Sequence, residues 1–218
     1  MSSTVHRQAR YAAPTGATEL VLVRHGESAP AVAGEVFDLV EGQGDPDLAP
    51  EGRAQAERVG ARLRGTDLAA VYVTTLRRTA QTAAPLLAGA APVVERDFRE
   101  VHLGEWEGGA FRAKVAEGDP VAQRMFAEQR WDVIPGAESA DSLTSRLRAA
   151  VRRVALAHPG GRVAVFTHGG VIAHLLHLAT GSEPFAFLPV DNASISRLVV
   201  HGNSWKLRAF NDTAHLTG

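Results

Sequence analysis

The sequence predicts an α/β fold in three layers, a mostly parallel central sheet with helices on both faces. Residues 20–23, 70–73 and 163–166 are short apolar runs rich in valine and bounded by polar or turn residues. That pattern suits strands buried on both faces, as in a parallel sheet. The second and third runs pass directly into helical segments, the alternation that builds such sheets. Two of the strands end alike, on His25-Gly26 and on His168-Gly169. In open α/β sheets chemistry sits just past the carboxyl ends of the strands.

Composition bounds the rest. A chain of 218 residues with 45% hydrophobic content is long enough for one well-buried core. A formal net charge of -1 provides no basic field for nucleic acid or acidic membranes. There is no cysteine, which excludes disulfides, thiolate metal sites and a thiolate nucleophile. No apolar run reaches membrane-spanning length and no signal peptide is visible, so a cytoplasmic enzyme is expected.

Residues 1–17 are polar, with Pro14 and Gly16, and read as a flexible N-terminal tail. Residues 18–218 are expected to form a single domain. After the first strand, residues 29–47 form a long loop punctuated by glycine and proline, of the kind that shapes a pocket. Asp45 and Asp47 have the spacing of a metal-dependent aspartyl phosphatase. That chemistry needs the pair at the end of a buried strand, and no apolar strand precedes them.

A helix is predicted over residues 50–64, with Pro50 at its first position and Ala56, Val59 and Leu63 as its stripe. The strand at 70–73 runs into a helix beginning near Thr74 to Ala83. A helix start collects unpaired N–H groups and favours an anion, and Arg78 adds a cation there. Residues 92–95 read as a third strand. Residues 97–108 hold Asp97, Glu100, Glu105 and Glu107, and side-chain chemistry alone does not choose a general acid among them. Residues 111–135 read as one or two short helices, part of a lid-like insertion over about 108–137.

Residues 139–158 form a strong amphipathic pattern with Leu143, Leu147, Ala150, Val151 and Val154 on one stripe. The strand at 162–167 leads to His168 and a helix over 171–179. Ile172, Leu175, Leu176 and Ala179 form that helix's buried stripe, which turns His174 and His177 away from the strand end. A zinc site on these histidines would need three or four convergent ligands, so no metal is expected. Residues 193–201 and 204–210 read as closing strands joined at Gly202-Asn203. Asn192 reads as a residue that satisfies backbone.

Four motifs occur in order: Leu22-Val23-Arg24-His25-Gly26-Glu27; Leu76-x-Arg78-x-x-Gln81-Thr82-Ala83; Phe98-Arg99-Glu100 with Gly104-x-Trp106-Glu107-Gly108; and Thr167-His168-Gly169. On these, the chain resembles the histidine phosphatase superfamily, with its phosphoglycerate-mutase-like fold. The resemblance runs from Leu20 to about Phe210. It implies that His25 is the phosphorylated nucleophile and Glu100 the proton donor. It implies that Arg24, Arg78 and His168 bind the phosphoryl oxygens, with the Gly169 backbone beside them. It selects Glu100 among the acids and Arg78 over Arg77. Many members carry an asparagine near the position of Ala31, so the phosphate grip here is expected to be looser or supplied by the following loop.

The resemblance implies a metal-independent phosphomonoesterase acting through phosphohistidine on small phosphorylated metabolites, with no cofactor. Arg24 and Arg78 are expected to keep His25 neutral, since nearby positive charge opposes protonation. A phosphoglycerate mutase is the alternative, disfavoured because the span from Glu100 to His168 leaves room for only a modest lid. A non-catalytic phospholigand-binding protein is the third reading; the complete residue set argues against it. The expected partner is a small phosphorylated substrate, with no nucleic acid and no membrane, and a homodimer is left open.

Overall fold

Alternate side chains of a strand point to opposite faces, and in the first strand both faces are buried. This strand is β1 (Thr18–Arg24), with Leu20, Val21, Leu22 and Val23 all excluded from solvent. It belongs to a computed structural model that describes residues 7–32 and 34–217. Of the expected tail, residues 1–6 lie outside the described residues. Residues 7–16 are exposed and carry no helix or strand.

Beyond β1, the chain forms a small hairpin of β2 (Leu39–Val40) and β3 (Gln43–Gly44), then α1 (Pro50–Leu63), β4 (Ala70–Val73) and α2 (Arg77–Leu87). Next come β5 (Val93–Val94), α3 (Ala110–Ala116), α4 (Pro120–Glu128) and α5 (Ala140–Ala157). It closes with β6 (Arg162–Thr167), α6 (Gly169–Thr180), β7 (Ile195–His201) and β8 (Ser204–Asp212). Short 3-10 turns stand at Arg96–Phe98, Gly104–Trp106 and Trp131–Val133.

The main sheet has the order β5-β4-β6-β1-β7-β8. The first four strands of that order run parallel, and β7 and β8 add an antiparallel edge. Leu20 and Leu22 join Val163, Val165 and Leu198 in a core beneath α5 and α6. Val21 and Val23 join Ala164 and Phe166 beneath α1 and α2. The expected three layers are therefore present. Each large apolar side chain fully buried this way contributes about 1.5–3 kcal/mol.

Register positions the chemistry. Arg24 at the end of β1 pairs with Thr167 at the end of β6, so the next residue of each strand, His25 and His168, emerges at one level. On the other side of β6, β4 ends one residue before Thr74.

Some boundaries differ from expectation. The third strand is only Val93–Val94, an exposed edge pair. The second helix starts at Arg77, because Thr74 turns the chain by bonding Thr79 and Leu76 first. The last helix begins at Gly169 and is buried on nearly every side from Val171 to Leu176, not along one stripe. His174 is inside it, with Nε2 2.8 Å from Thr144 Oγ1 on α5. The amphipathic helix α5 matches closely: its five expected residues are buried, and the Ser139 hydroxyl caps it by accepting from the Ser142 N–H. Within residues 108–137, α3, α4 and the Trp131 turn share a small core of Trp106, Ala122, Met125, Val133 and Ile134.

Candidate active site

His25 and His168 face each other past the level ends of β1 and β6, with ring centroids 5.2 Å apart and planes at 63°. Both rings are buried. His25 Nδ1 lies 2.7 Å from the Gly26 carbonyl oxygen. A carbonyl only accepts, so Nδ1 carries the proton and Nε2 keeps its lone pair. The His25 backbone is held as firmly. Its N–H donates to Thr167 O at 2.9 Å, and its carbonyl accepts from Asn192 Nδ2 at 3.0 Å and Ala193 N–H at 3.2 Å. Asn192 thus bonds backbone, as its position suggested.

Two glycines seat this turn. Gly26 donates its N–H to Thr82 Oγ1 on α2, and it packs directly on Gly52 of α1. His168 Nε2 lies 3.2 Å from Thr74 Oγ1, while its Nδ1 is buried with no bonding partner. The Arg24 Nε is buried and unpartnered in the same way, and its Nη1 donates to the Val190 carbonyl. These two orphaned groups stand at the level ends of β1 and β6, and buried polar groups left unpaired in a folded protein call for an explanation such as a ligand.

Arg78 is also buried, and its Nη1 donates to Gly44 O at 2.9 Å. Asp45 stands 3.9 Å from it and accepts from Arg77 N–H and Nε, both at 2.8 Å. Asp45 therefore fastens the β2–β3 hairpin to the start of α2. It serves as a brace for Arg78. Glu100 accepts from the Val101 N–H at 3.0 Å and from the Gly170 N–H of α6 at 3.3 Å. Gly169, the first residue of α6, brings its backbone against the Arg24 side chain. All six expected site residues are thus brought together.

Burial, then the Arg78 charge, holds both His25 and His168 well below the ordinary imidazole range. Arg78 and Arg24 oppose protonation of His25 as expected, and exclusion from water, which the sequence did not show, is the larger cause. Burial also pulls Arg78 down to about 10, with Glu100 and Asp45 opposing, so it stays charged at neutral pH.

Other participants were not singled out in the sequence. Arg112 of α3 reaches back to Ser28 Oγ and Ala29 O, both at 2.7 Å, with its guanidinium 5.5 Å from the Phe37 ring centre. It lines, with His25, Arg24, Arg78 and Glu100, a recess of about 260 Å³. Ala31 lies outside that recess, in a neighbouring one that Arg112 also lines. Gln43 donates to the Glu100 carbonyl at 2.7 Å. Arg146 of α5 donates to the carbonyls of Asp97, Arg99 and Glu100. The only signal for Arg112 was its place in the lid-like insertion over about 108–137; Arg146 and Gln43 left none. Among the described residues, no three His, Asp or Glu side chains are grouped to hold a metal ion, and no helix is long and apolar enough to cross a membrane.

A family model described as "Histidine phosphatase superfamily (branch 1)" matches residues 20–213. The chain is 34% identical over 205 residues to phosphoglycerate mutase-like protein 4 of Arabidopsis thaliana, covering 91% of this chain and 86% of that one. It is 34% identical over 207 residues to a metal-independent phosphoserine phosphatase of the same organism, covering 92% and 84%. Among solved structures, a mycobacterial glucosyl-3-phosphoglycerate phosphatase superposes with a TM-score of 0.75 at 27% identity, covering 90% of this chain and 100% of that one.

Proposed function

The chain belongs to the histidine phosphatase superfamily, branch 1, and on that premise we propose that it hydrolyses phosphomonoesters of small metabolites through a phosphohistidine at His25, without a metal. The observation that carries this reading is the His25 tautomer: with Nδ1 committed to Gly26 O, Nε2 is a neutral nucleophile facing a cation-lined recess.

In the first step the His25 Nε2 lone pair attacks phosphorus in line with the ester bond. That bond breaks, and Glu100 gives its proton to the departing alcohol oxygen. In the second step the Glu100 carboxylate takes a proton from water. The water oxygen attacks phosphorus, the P–N bond breaks, and inorganic phosphate leaves. The transferring group carries its charge on equatorial oxygens, which Arg24, Arg78, His168 and the Gly169 backbone surround. Arg112 supplies a further cation beside them, in place of the asparagine expected near Ala31. Residues 108–137 act as the lid, since they carry Arg112 and the aromatic rings over the recess. The cytoplasmic location is part of this proposal, which fractionation tests, and sedimentation decides the oligomeric state that the sequence leaves open.

The test is covalent trapping. Labelled phosphomonoester, quenched in base within the first turnover, is expected to leave acid-labile label on His25, and His25→Ala is expected to show neither label nor turnover. Full turnover in His25→Ala would overturn the reading. Release of inorganic phosphate, set against interconversion of 2- and 3-phosphoglycerate with 2,3-bisphosphoglycerate present, separates the hydrolase from the mutase.

A further inference from the structure

A second cavity opens beside the reactive recess. It measures about 760 Å³ and is walled by Phe111, Phe126, Trp131, Phe185, Leu188 and Val190. The rings form a continuous wall: Phe111–Trp131 centroids are 6.0 Å apart, Trp131–Phe185 4.9 Å and Phe126–Phe185 6.4 Å. Three separate segments supply them, α3, α4 with the Trp131 turn, and the connection from α6 to β7. Phe126 is 46% exposed. Phe111, Trp131 and Phe185 are half-buried, each backed by the small core of residues 106–134, and aromatic surface left accessible inside a recess marks a binding surface.

Glu100 and Arg24 border this cavity as well as the reactive recess. The recess behind Ala31 touches Arg24 but neither Glu100 nor His25. In-line attack sends the alcohol away from His25, and the alcohol oxygen must end against Glu100 to be protonated. The substituent on that oxygen therefore continues into the space that Glu100 borders. The charges there decide its chemistry. On the reading above Arg24 is taken up by the phosphoryl group, and the other border groups able to carry charge, Glu100 and Glu183, are both acids, so no second cation borders the cavity. A second anion on the alcohol would find no cation to pair with; an aromatic ring would meet aromatic faces and edges.

We propose that the cavity of Phe111, Phe126, Trp131 and Phe185 is the leaving-group subsite and that it takes an uncharged aromatic alcohol, so that the enzyme prefers aryl-bearing phosphomonoesters over phosphorylated hydroxy acids. This rests on the phosphatase reading above.

The experiment compares 2-phenylethyl phosphate with ethyl phosphate, whose alcohols are of similar basicity, and with 3-phosphoglycerate. The expected kcat/KM is at least about tenfold higher for the phenylethyl ester than for either of the others, since even one methylene in an apolar pocket is worth about tenfold or more. Phe126→Ala and, independently, Phe185→Ala are expected to bring the phenylethyl-to-ethyl ratio close to one. A ratio near one in the unmodified enzyme, or a preference for 3-phosphoglycerate, overturns the subsite while hydrolysis of any ester leaves the phosphatase reading standing. Equal ratios in all three proteins, with Phe126→Ala converting a dimer to a monomer in sedimentation, would make the wall an interface between copies and also overturn it. No hydrolysis of any ester and no label on His25 would remove both readings.

Discussion

Gly26 and Gly52 touch backbone to backbone across the start of α1. A Cβ on Gly26 would fall 2.5 Å from the Gly52 oxygen, and one on Gly52 would fall 1.9 Å from the Glu27 oxygen. The obstacle in both cases is main chain, which has no rotamer to yield. The two glycines thereby clamp the turn that follows His25, and with it the Gly26 carbonyl that sets the tautomer.

Gly52→Ala is accordingly expected to destabilise the fold by about 3 kcal/mol, the upper range for overpacking, although alanine is the better helix former. Urea denaturation measures it. Activity should fall more than the unfolded fraction explains, because the turn bearing the nucleophile is displaced. An alanine variant of unchanged stability and rate would show that the turn is not clamped here.

Arg146 offers a separable case. Its guanidinium lies on Glu138 through Nε and Nη2 at 2.7 and 2.8 Å, and its other N–H groups hold the carbonyls before and at Glu100. Burial works to raise the Glu138 carboxyl, and Arg146 overrides it, holding it below the ordinary range. Arg146→Ala is expected to cost about 3 kcal/mol, since it strands a largely buried carboxylate and several carbonyls. As a positioning residue it should lower kcat about tenfold or more with little change in KM. Arg146→Lys keeps the charge but not the planar fork. It should recover most of the stability and little of the rate, and recovery of both together would reduce Arg146 to a purely structural role.

Stability is expected to fall on acidification. The folded values of His25, His168 and His174 lie below the ordinary 6.5, that of His174 at about 4, chiefly through burial. The unfolded chain therefore takes up protons first. Stability is fully present above about pH 7 and is lost as pH drops through 6.5 toward 4, each histidine adding up to about 1.4 kcal/mol per pH unit. Urea midpoints measured between pH 7.5 and 5 should show the slope. His174→Gln, which keeps a donor for Thr144, should reduce it by about one histidine's share, and an unchanged slope would mean that His174 is already protonated in the fold.

Much of the site was legible because it hangs on strands. Valine-rich runs announce buried strands whatever surrounds them, and two such runs ending on His-Gly forecast the pairing of His25 with His168. The expected buried face of α5 was legible for the same kind of reason, a period of 3.6. Arg146 was not, because periodicity places it beside Leu143 and Leu147 without saying which carbonyls lie opposite. Asp45, Gln43 and Arg112 were hidden likewise: their partners are 32 or more residues away and are set by loop paths. His174 does face away from the site, against Thr144 of α5, but its burial was not legible, because a helix buried all round has no stripe to read.

The acid role of Glu100 can be separated from its structural one by the leaving group. Glu100 accepts two backbone N–H bonds through its carboxylate oxygens, and glutamine preserves the shape but cannot release a proton to an alcohol. An alkoxide needs that proton in order to depart, whereas p-nitrophenolate departs without it. Glu100→Gln is thus expected to slow ethyl phosphate by about 10²–10⁴-fold, the range for a lost general acid. The first step with p-nitrophenyl phosphate should fall by less than about tenfold, read as a burst of nitrophenolate. Because the second step still needs a base to deprotonate water, phosphohistidine should accumulate with the aryl ester. Equal slowing of both esters without accumulation would take the proton transfer away from Glu100. It would leave Glu107, which borders the same recess and holds the Leu103 and Gly44 N–H groups, as the acid to test next.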